Sequence, residues 1–230
     1  MEDINIRLLD LWENTPSRYL NGLMPFFLDL DEIEKHAVTF IGLNPSFSGS
    51  GFEKGLRGSD HEGIDIRSFY SFPQSKEFDL GQALDIERTM RMTYPYFKPF
   101  RDLLKDTGHA MAHLDLFFVR ETSQEVVKKV IIEKSGKLTS FGQSQMNILT
   151  AVLDEIEPKA IVVVNALASQ IYKQEKGLRF DEDHGCYFTQ VYGRNVPTFL
   201  SSMLSGQRAL DIFSRERLGW HLRKVIKVFS

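Results

Sequence analysis

The sequence predicts an α/β fold: a three-layer α/β/α sandwich around a mainly parallel central sheet. Three observations point there. Short, continuously apolar runs such as Ala37–Gly42 and Ala160–Val164 suit parallel strands buried on both faces. Longer amphipathic segments separate them, so strands and helices alternate along the chain. No internal repeat, low-complexity tract or Pro-rich linker divides the sequence, which predicts one domain over residues 1–230 with residues 1–36 as an N-terminal helical segment.

Taken in order, Ile4 to Trp12 carries Ile6, Leu8, Leu9 and Trp12 against Arg7 and Asp10, an amphipathic helix. Tyr19 to Leu28 reads as a second short helix. The run Ala37–Gly42 is the first strand, and it gives way to a loop at Gly42 and Pro45. Residues 46–75 read as one long loop, rich in Gly, Ser and charge, of the length that carries function. Leu80–Met92 and Tyr96–Lys105 are the next helices, the second stopped by Gly108. Ala110–Val119 reads as the second buried strand. Gln143–Ile156 is a helix with Met146, Leu149, Val152, Leu153 and Ile156 on one stripe. Ala160–Val164 is a strand, Ala166–Lys173 a helix, Cys186–Val191 an edge strand and Val196–Leu200 the final strand. The closing helix lies within Gln207–Val228.

Composition narrows the function classes. The chain has 42% hydrophobic and 26% charged residues, ordinary for a globular protein. No apolar run approaches the roughly 20 residues that span a bilayer, and the acidic N-terminus lacks the basic start of a secretory signal. Cytoplasm, with no membrane contact, is the expectation. The single cysteine, Cys186, excludes an intramolecular disulfide and a cysteine-ligated zinc or iron–sulfur site. It reads as a small half-buried filler. A net charge of −3 argues mildly against strong non-specific nucleic-acid binding. Arg208 to Lys227 is nonetheless basic, either a local patch or the solvated face of a terminal helix.

In open α/β sheets ligands bind at the carboxyl ends of the strands. The segments placed there are Gly42-Leu43-Asn44-Pro45-Ser46, His113-Leu114-Asp115, Asn165 and Ser201 to Gly206. A buried strand ending in Gly-x-Asn-Pro-small resembles the first motif of the mismatch-specific and single-strand-selective branches of the uracil-DNA glycosylase superfamily. Glu157 to Ala168 is similar to that superfamily's helix, Pro-Lys turn and hydrophobic strand, with Asn165 where Gly is usual. Ala112 to Arg120 is similar to the strand carrying the base-reading Asn, here replaced by Asp115. The order and spacing agree over roughly residues 37 to 228.

The resemblance implies a uracil-DNA glycosylase-like sandwich that excises a deaminated or damaged base from DNA, a base-excision repair activity needing no metal or cofactor. Asn44 would orient the attacking water, while Gly42, Leu43, Pro45 and Ser46 contact the base. Phe100 aligns with the family's stacking Phe, with Phe69, Tyr70 and Phe72 as alternatives. Asp115 would read the Watson–Crick edge and Asn165 would line the base site. Ser201 or Ser202 stands where the family's leaving-group His is expected. Met203, Leu204, Ser205, Gly206 and Arg208 would contact DNA, with Met203 or Leu204 as the wedge and Arg208 on a phosphate.

Each assignment has a plainer counterpart. Asn44-Pro45 suits an Asx-type turn. Asp115 suits an ion pair with Arg120 or a helix cap. Ser202 or Ser205 suits an N-cap. Asp60-His61-Glu62 suits a solvated loop. Loss of one such electrostatic donor costs on the order of 10² to 10³ in rate. A serine in place of histidine therefore leaves two further readings open: a protein on this fold that binds a nucleobase, nucleic acid or protein without catalysis, and an unrelated doubly wound enzyme acting on a nucleotide-sized substrate.

Overall fold

A computed structural model describes residues 3–74, 78–105, 107–206 and 209–229. They form two compact units, each assembled from separate stretches of chain. The first comprises residues up to Asp29, Asn44–Pro95 and Phe117–Leu149; the second comprises Leu30–Leu43, Tyr96–Leu116 and Thr150 onward.

The first unit is helical. Its helices are α1 (Ile4–Glu13), α2 (Gly49–Gly55), α3 (Ile66–Phe69), α4 (Leu80–Thr93) and α6 (Gln124–Ile131), with the first half of α7 (Ser140–Ile156). The caps follow the sequence: Asp3, Ser48, Asp65, Asp79 and Ser123 each accept an N–H bond from the first turn of the helix they precede. Its core gathers Met24, Phe27, Phe52, Phe69, Tyr70 and Ile86.

Two expectations fail here. Tyr19–Leu28 forms no helix beyond a single turn at Ser17–Tyr19, because Gly22 is left-handed (φ 76°) and the extended backbone is pinned from α1. Asn5 bridges both backbone groups of Leu28, at 2.8 and 2.9 Å, and the Trp12 indole donates to the Leu23 carbonyl. Residues 46–75 are not one long loop, since α2 and α3 both lie in it.

The second unit holds the sheet. Its strands are β1 (Val38–Gly42), β2 (Met111–Asp115), β3 (Ala160–Val164), β4 (Phe180–Asp181), β5 (Cys186–Val191) and β6 (Arg194–Ser201). The order is β2-β1-β3-β6-β5-β4, with β2, β1, β3 and β6 parallel and the β5–β6 and β4–β5 pairs antiparallel. The fold is therefore α/β with a mixed, mostly parallel sheet. β2 is half the expected length: its pairing runs out with β1, whose Gly42 carbonyl accepts from Leu116 N–H at 3.0 Å. β5 is outermost only over residues 188–191, because the two-residue β4 pairs with its Cys186 and Tyr187.

Side chains alternate across a strand, so Val38 and Phe40 share a sheet face with Val162 and Val164. They pack with Phe100 and Leu103 of α5 (Lys98–Leu104) and with Leu222, Val225 and Ile226 of α9 (Ile212–Val228). Gly219 permits this close approach, since a Cβ there would stand 3.0 Å from the Leu103 side chain. α8 (Ala166–Glu175) packs on β3 and β6, where Ser169 Oγ donates to the Ser201 carbonyl at 2.9 Å. No helix among the described residues is long and apolar enough to cross a membrane.

Candidate functional site

At the carboxyl end of the sheet, Gly42 of β1 is the register partner of Asp115 of β2. The two are complementary in size: a Cβ on Gly42 would collide with the Asp115 carboxyl oxygen. Glycine is thus favoured here by contact and not by backbone angle. Asp115 is 6% exposed, so its carboxyl is held inside the protein beside the last turn of strand. Leu43 follows as a buried core residue.

Asn44, in the first unit, is fixed by its own amide. Its Nδ2 faces the carbonyl oxygens of Glu121 at 2.6 Å, Val119 at 3.1 Å and Pro45 at 3.2 Å. Surrounded by acceptors, this end of the amide must be the NH₂ group, which leaves Oδ1 as the only atom with spare hydrogen-bonding capacity. Glu121 N–H donates to the Pro45 carbonyl at 3.1 Å, and the Thr122 hydroxyl joins Ser46 Oγ to the Phe47 carbonyl. The Asn-Pro turn is therefore tied along its length to residues 119–122, a cross-chain clamp and not a local Asx turn.

The segment it clamps is itself anchored. Arg120, 1% exposed, pairs with Glu87 of α4 at 2.5 Å, donates from Nε to the Pro25 carbonyl and lies 3.9 Å over the Tyr70 ring. The Tyr70 hydroxyl donates to the same Glu87 oxygen at 3.0 Å. Burial and the Glu87 carboxylate together push the Tyr70 hydroxyl well above its ordinary pKa, so it stays a neutral donor. This cluster answers the expectation that Arg120 pairs with Asp115: its carboxylate is Glu87.

Phe100 cannot offer a face to a flipped base in this conformation. It has no exposed surface, and its ring meets Phe40 and His113 edge-on at 5.2 and 5.4 Å. Phe69 and Tyr70 are likewise core residues. The partly exposed rings beside Phe100 are Tyr96 and Phe97, both packed edge-on against His113.

Asn165 is the N-cap of α8, its Oδ1 accepting from Leu167 and Ala168 N–H at 2.9 and 3.2 Å. Ser201 ends β6 and Ser202 follows it, both partly exposed. In the loop beyond, Leu204 is 2% exposed and belongs to the core, which removes it as a DNA wedge. Met203 is partly exposed and its carbonyl accepts from Leu210 N–H, while Ser205 and Gly206 turn the chain with Gly206 left-handed. Arg208 lies outside the described residues. Asp211, not Ser202 or Ser205, caps α9. His61 is not merely solvated: its Nε2 meets Asp85 Oδ2 at 2.6 Å.

A cavity of about 450 Å³ bordered by His36, His109, Lys159 and Arg194 sits at the amino ends of the parallel strands, opposite the carboxyl ends where Gly42 and Asp115 lie. Among the described residues no group of three or more His, Cys, Asp or Glu side chains is placed to hold a metal ion. The chain matches no protein-family model and no curated protein.

Proposed function

We propose that the chain is a uracil-DNA glycosylase-like hydrolase of the three-layer sandwich type, removing an altered base from DNA. One observation carries the reading most: the sheet changes direction of strand order between β1 and β3. In open α/β sheets such a switch point is where ligands bind, outside the carboxyl ends of the strands. Those ends are Gly42 and Val164, and the first runs directly into the Asn-Pro motif that prompted the resemblance.

In the proposed reaction a water oxygen bonds to the sugar C1′ as the bond from C1′ to the base nitrogen breaks. The water gives up a proton, and the base leaves with the bonding pair and takes up a proton. Asn44 orients the water by accepting through Oδ1, its NH₂ being held by backbone carbonyls. An amide accepts and does not deprotonate, which suits a late water attack on an oxocarbenium-like sugar. When ionised, Asp115 offers acceptors alone and so selects a base edge that presents N–H donors. Ser201 or Ser202 would donate to the leaving base more weakly than a histidine.

Oligonucleotides carrying uracil, hypoxanthine or xanthine, incubated with the protein and then treated with alkali, test this. Strand breaks are expected for one base, with the preference changed in Asp115→Asn. Absence of breaks with all three overturns the hydrolase. A second reading, base binding without hydrolysis, is favoured by the serines at Ser201 and Ser202, which stand where a leaving-group histidine is expected. It predicts no breaks but retention of the modified oligonucleotide.

A further inference from the structure

The core-facing side of α9 is accounted for by Leu222, Val225 and Ile226. Its opposite side is not that of an ordinary solvated helix. Phe213 is 70% exposed and Trp220 is 59% exposed. At 100° per residue both point the same way, and Arg217, Lys224 and Lys227 fall on the same stripe. Phe213, Arg217 and Trp220, with Glu216 at the margin, line a shallow depression of about 440 Å³. Lys224 Nζ lies 5.2 Å from the Trp220 ring centroid and steadies the indole by a cation–π contact.

Charge singles this helix out. It carries Arg215, Arg217, Arg223, Lys224 and Lys227 against one acid, Glu216, in a chain whose net charge is −3. Single exposed apolar residues need no explanation, but two large rings aligned on a cationic stripe do. A membrane surface fits poorly, because the continuous apolar side of α9 is consumed by the core and cations interrupt the outer one. An acidic peptide would use the cations and leave the rings idle.

We propose that this face of α9 binds single-stranded nucleic acid, with bases stacked on Phe213 and Trp220 and phosphates on Arg217, Lys224 and Lys227. A single strand supplies a flat ring and an anion in every repeat, which is the alternation α9 displays. Seven residues of helix separate the rings by about 10.5 Å at 1.5 Å per residue. That is about three nucleotides at the 3.4 Å stacked spacing. A duplex hides its base faces and binds less tightly. The inference stands apart from base excision, because an oligonucleotide without any excisable base tests it.

The test uses the full chain and a fluorescein-labelled oligothymidylate at low salt, read by anisotropy and by tryptophan emission. The only other tryptophan, Trp12, is 1% exposed, so a change in emission reports Trp220. Binding with quenched emission is expected. Trp220→Ala should weaken it roughly fivefold to a hundredfold. Arg217→Ala with Lys224→Ala should lower the salt slope by about 1.4, at about 0.7 per phosphate contact. These surface substitutions leave the core intact, which circular dichroism checks. The proposal is overturned by absence of binding, by unchanged emission on binding, or by equal affinity of the Trp220→Ala variant. Equal affinity for the matching duplex, for polyglutamate or for phosphatidylserine vesicles overturns it as well.

Discussion

Asn44 offers the sharpest test of how the strand-end loop is held. Its NH₂ group faces the carbonyls of Glu121, Val119 and Pro45 at 2.6 to 3.2 Å. Asn44→Ala removes the donor and leaves those acceptors to each other and to water. Two hydrogens at about 0.5–1.5 kcal/mol each set the loss at about 1–3 kcal/mol. Asn44→Asp is nearly the same size but places a carboxylate against the same oxygens. The donors are lost and a repulsion is added, so at neutral pH it should be worse than alanine, by about 1–2 kcal/mol more. The repulsion also gives a signature in pH. Carbonyl oxygens disfavour the ionised carboxyl, which raises its folded pKa above the ordinary value near 3.9. The extra destabilisation is therefore absent below that value and develops as pH rises through it. Urea unfolding of the three proteins at pH 4 and pH 7 measures both effects. If Asn44→Asp is no less stable than Asn44→Ala at pH 7, or if the gap between them does not widen from pH 4 to pH 7, the clamp does not operate as described.

Three other outcomes follow from the structure. Glu87→Ala leaves Arg120 charged and buried and should cost about 3–5 kcal/mol, whereas joint replacement of Arg120 and Glu87 by Met and Leu should cost far less; calorimetric melting compares them. Gly42→Ala should destabilise by about 1–3 kcal/mol through crowding against Asp115, and a double-mutant cycle with Asp115→Ala should show the two changes to be less than additive. Burial pushes the Cys186 thiol up to about 11 from an ordinary 9.0, so native alkylation at pH 8 should be at least about a hundredfold slower than in urea. The same shift means that stability is undiminished below about pH 9 and declines as pH rises from there toward 11, where the unfolded chain has released a proton that the folded one keeps.

The sheet was most legible where a parallel strand is short, wholly apolar and flanked by turn residues, as Ala160–Val164 is between Pro158 and Asn165. α6 was not, since Val126, Val127, Val130 and Ile131 are β-branched and blur the helical period; the Ser123 cap and the Val127–Ile131 spacing are the signals that decide it. The burial of Phe100 was readable from its place beside Leu103 and Leu104 at helical spacing, a pattern of core and not of platform. The Arg120–Glu87 pair was not readable at all, because the partners lie 33 residues apart and neither residue type signals burial. At the candidate site the motif Gly42 to Ser46 did mark a strand end. What the sequence could not show was that the Asn44 amide is committed to backbone carbonyls on one side.

The two-residue β4 has a bearing on how the chain behaves in a crowded solution. A sheet edge is a row of unpaired N–H and C=O groups, and a long flat one recruits strands from other molecules into aggregates. Here β4 covers only Cys186 and Tyr187 of β5, and residues 188–191 continue the row beyond it. β4 runs for Phe180 and Asp181 alone, the turn through Glu182 and Asp183 follows at once, and three consecutive carboxylates crown the edge. At β4 an incoming strand meets like charges and a ladder of only two residues. The exposed Phe180 ring at this edge can thus be carried without becoming a seed for fibre growth.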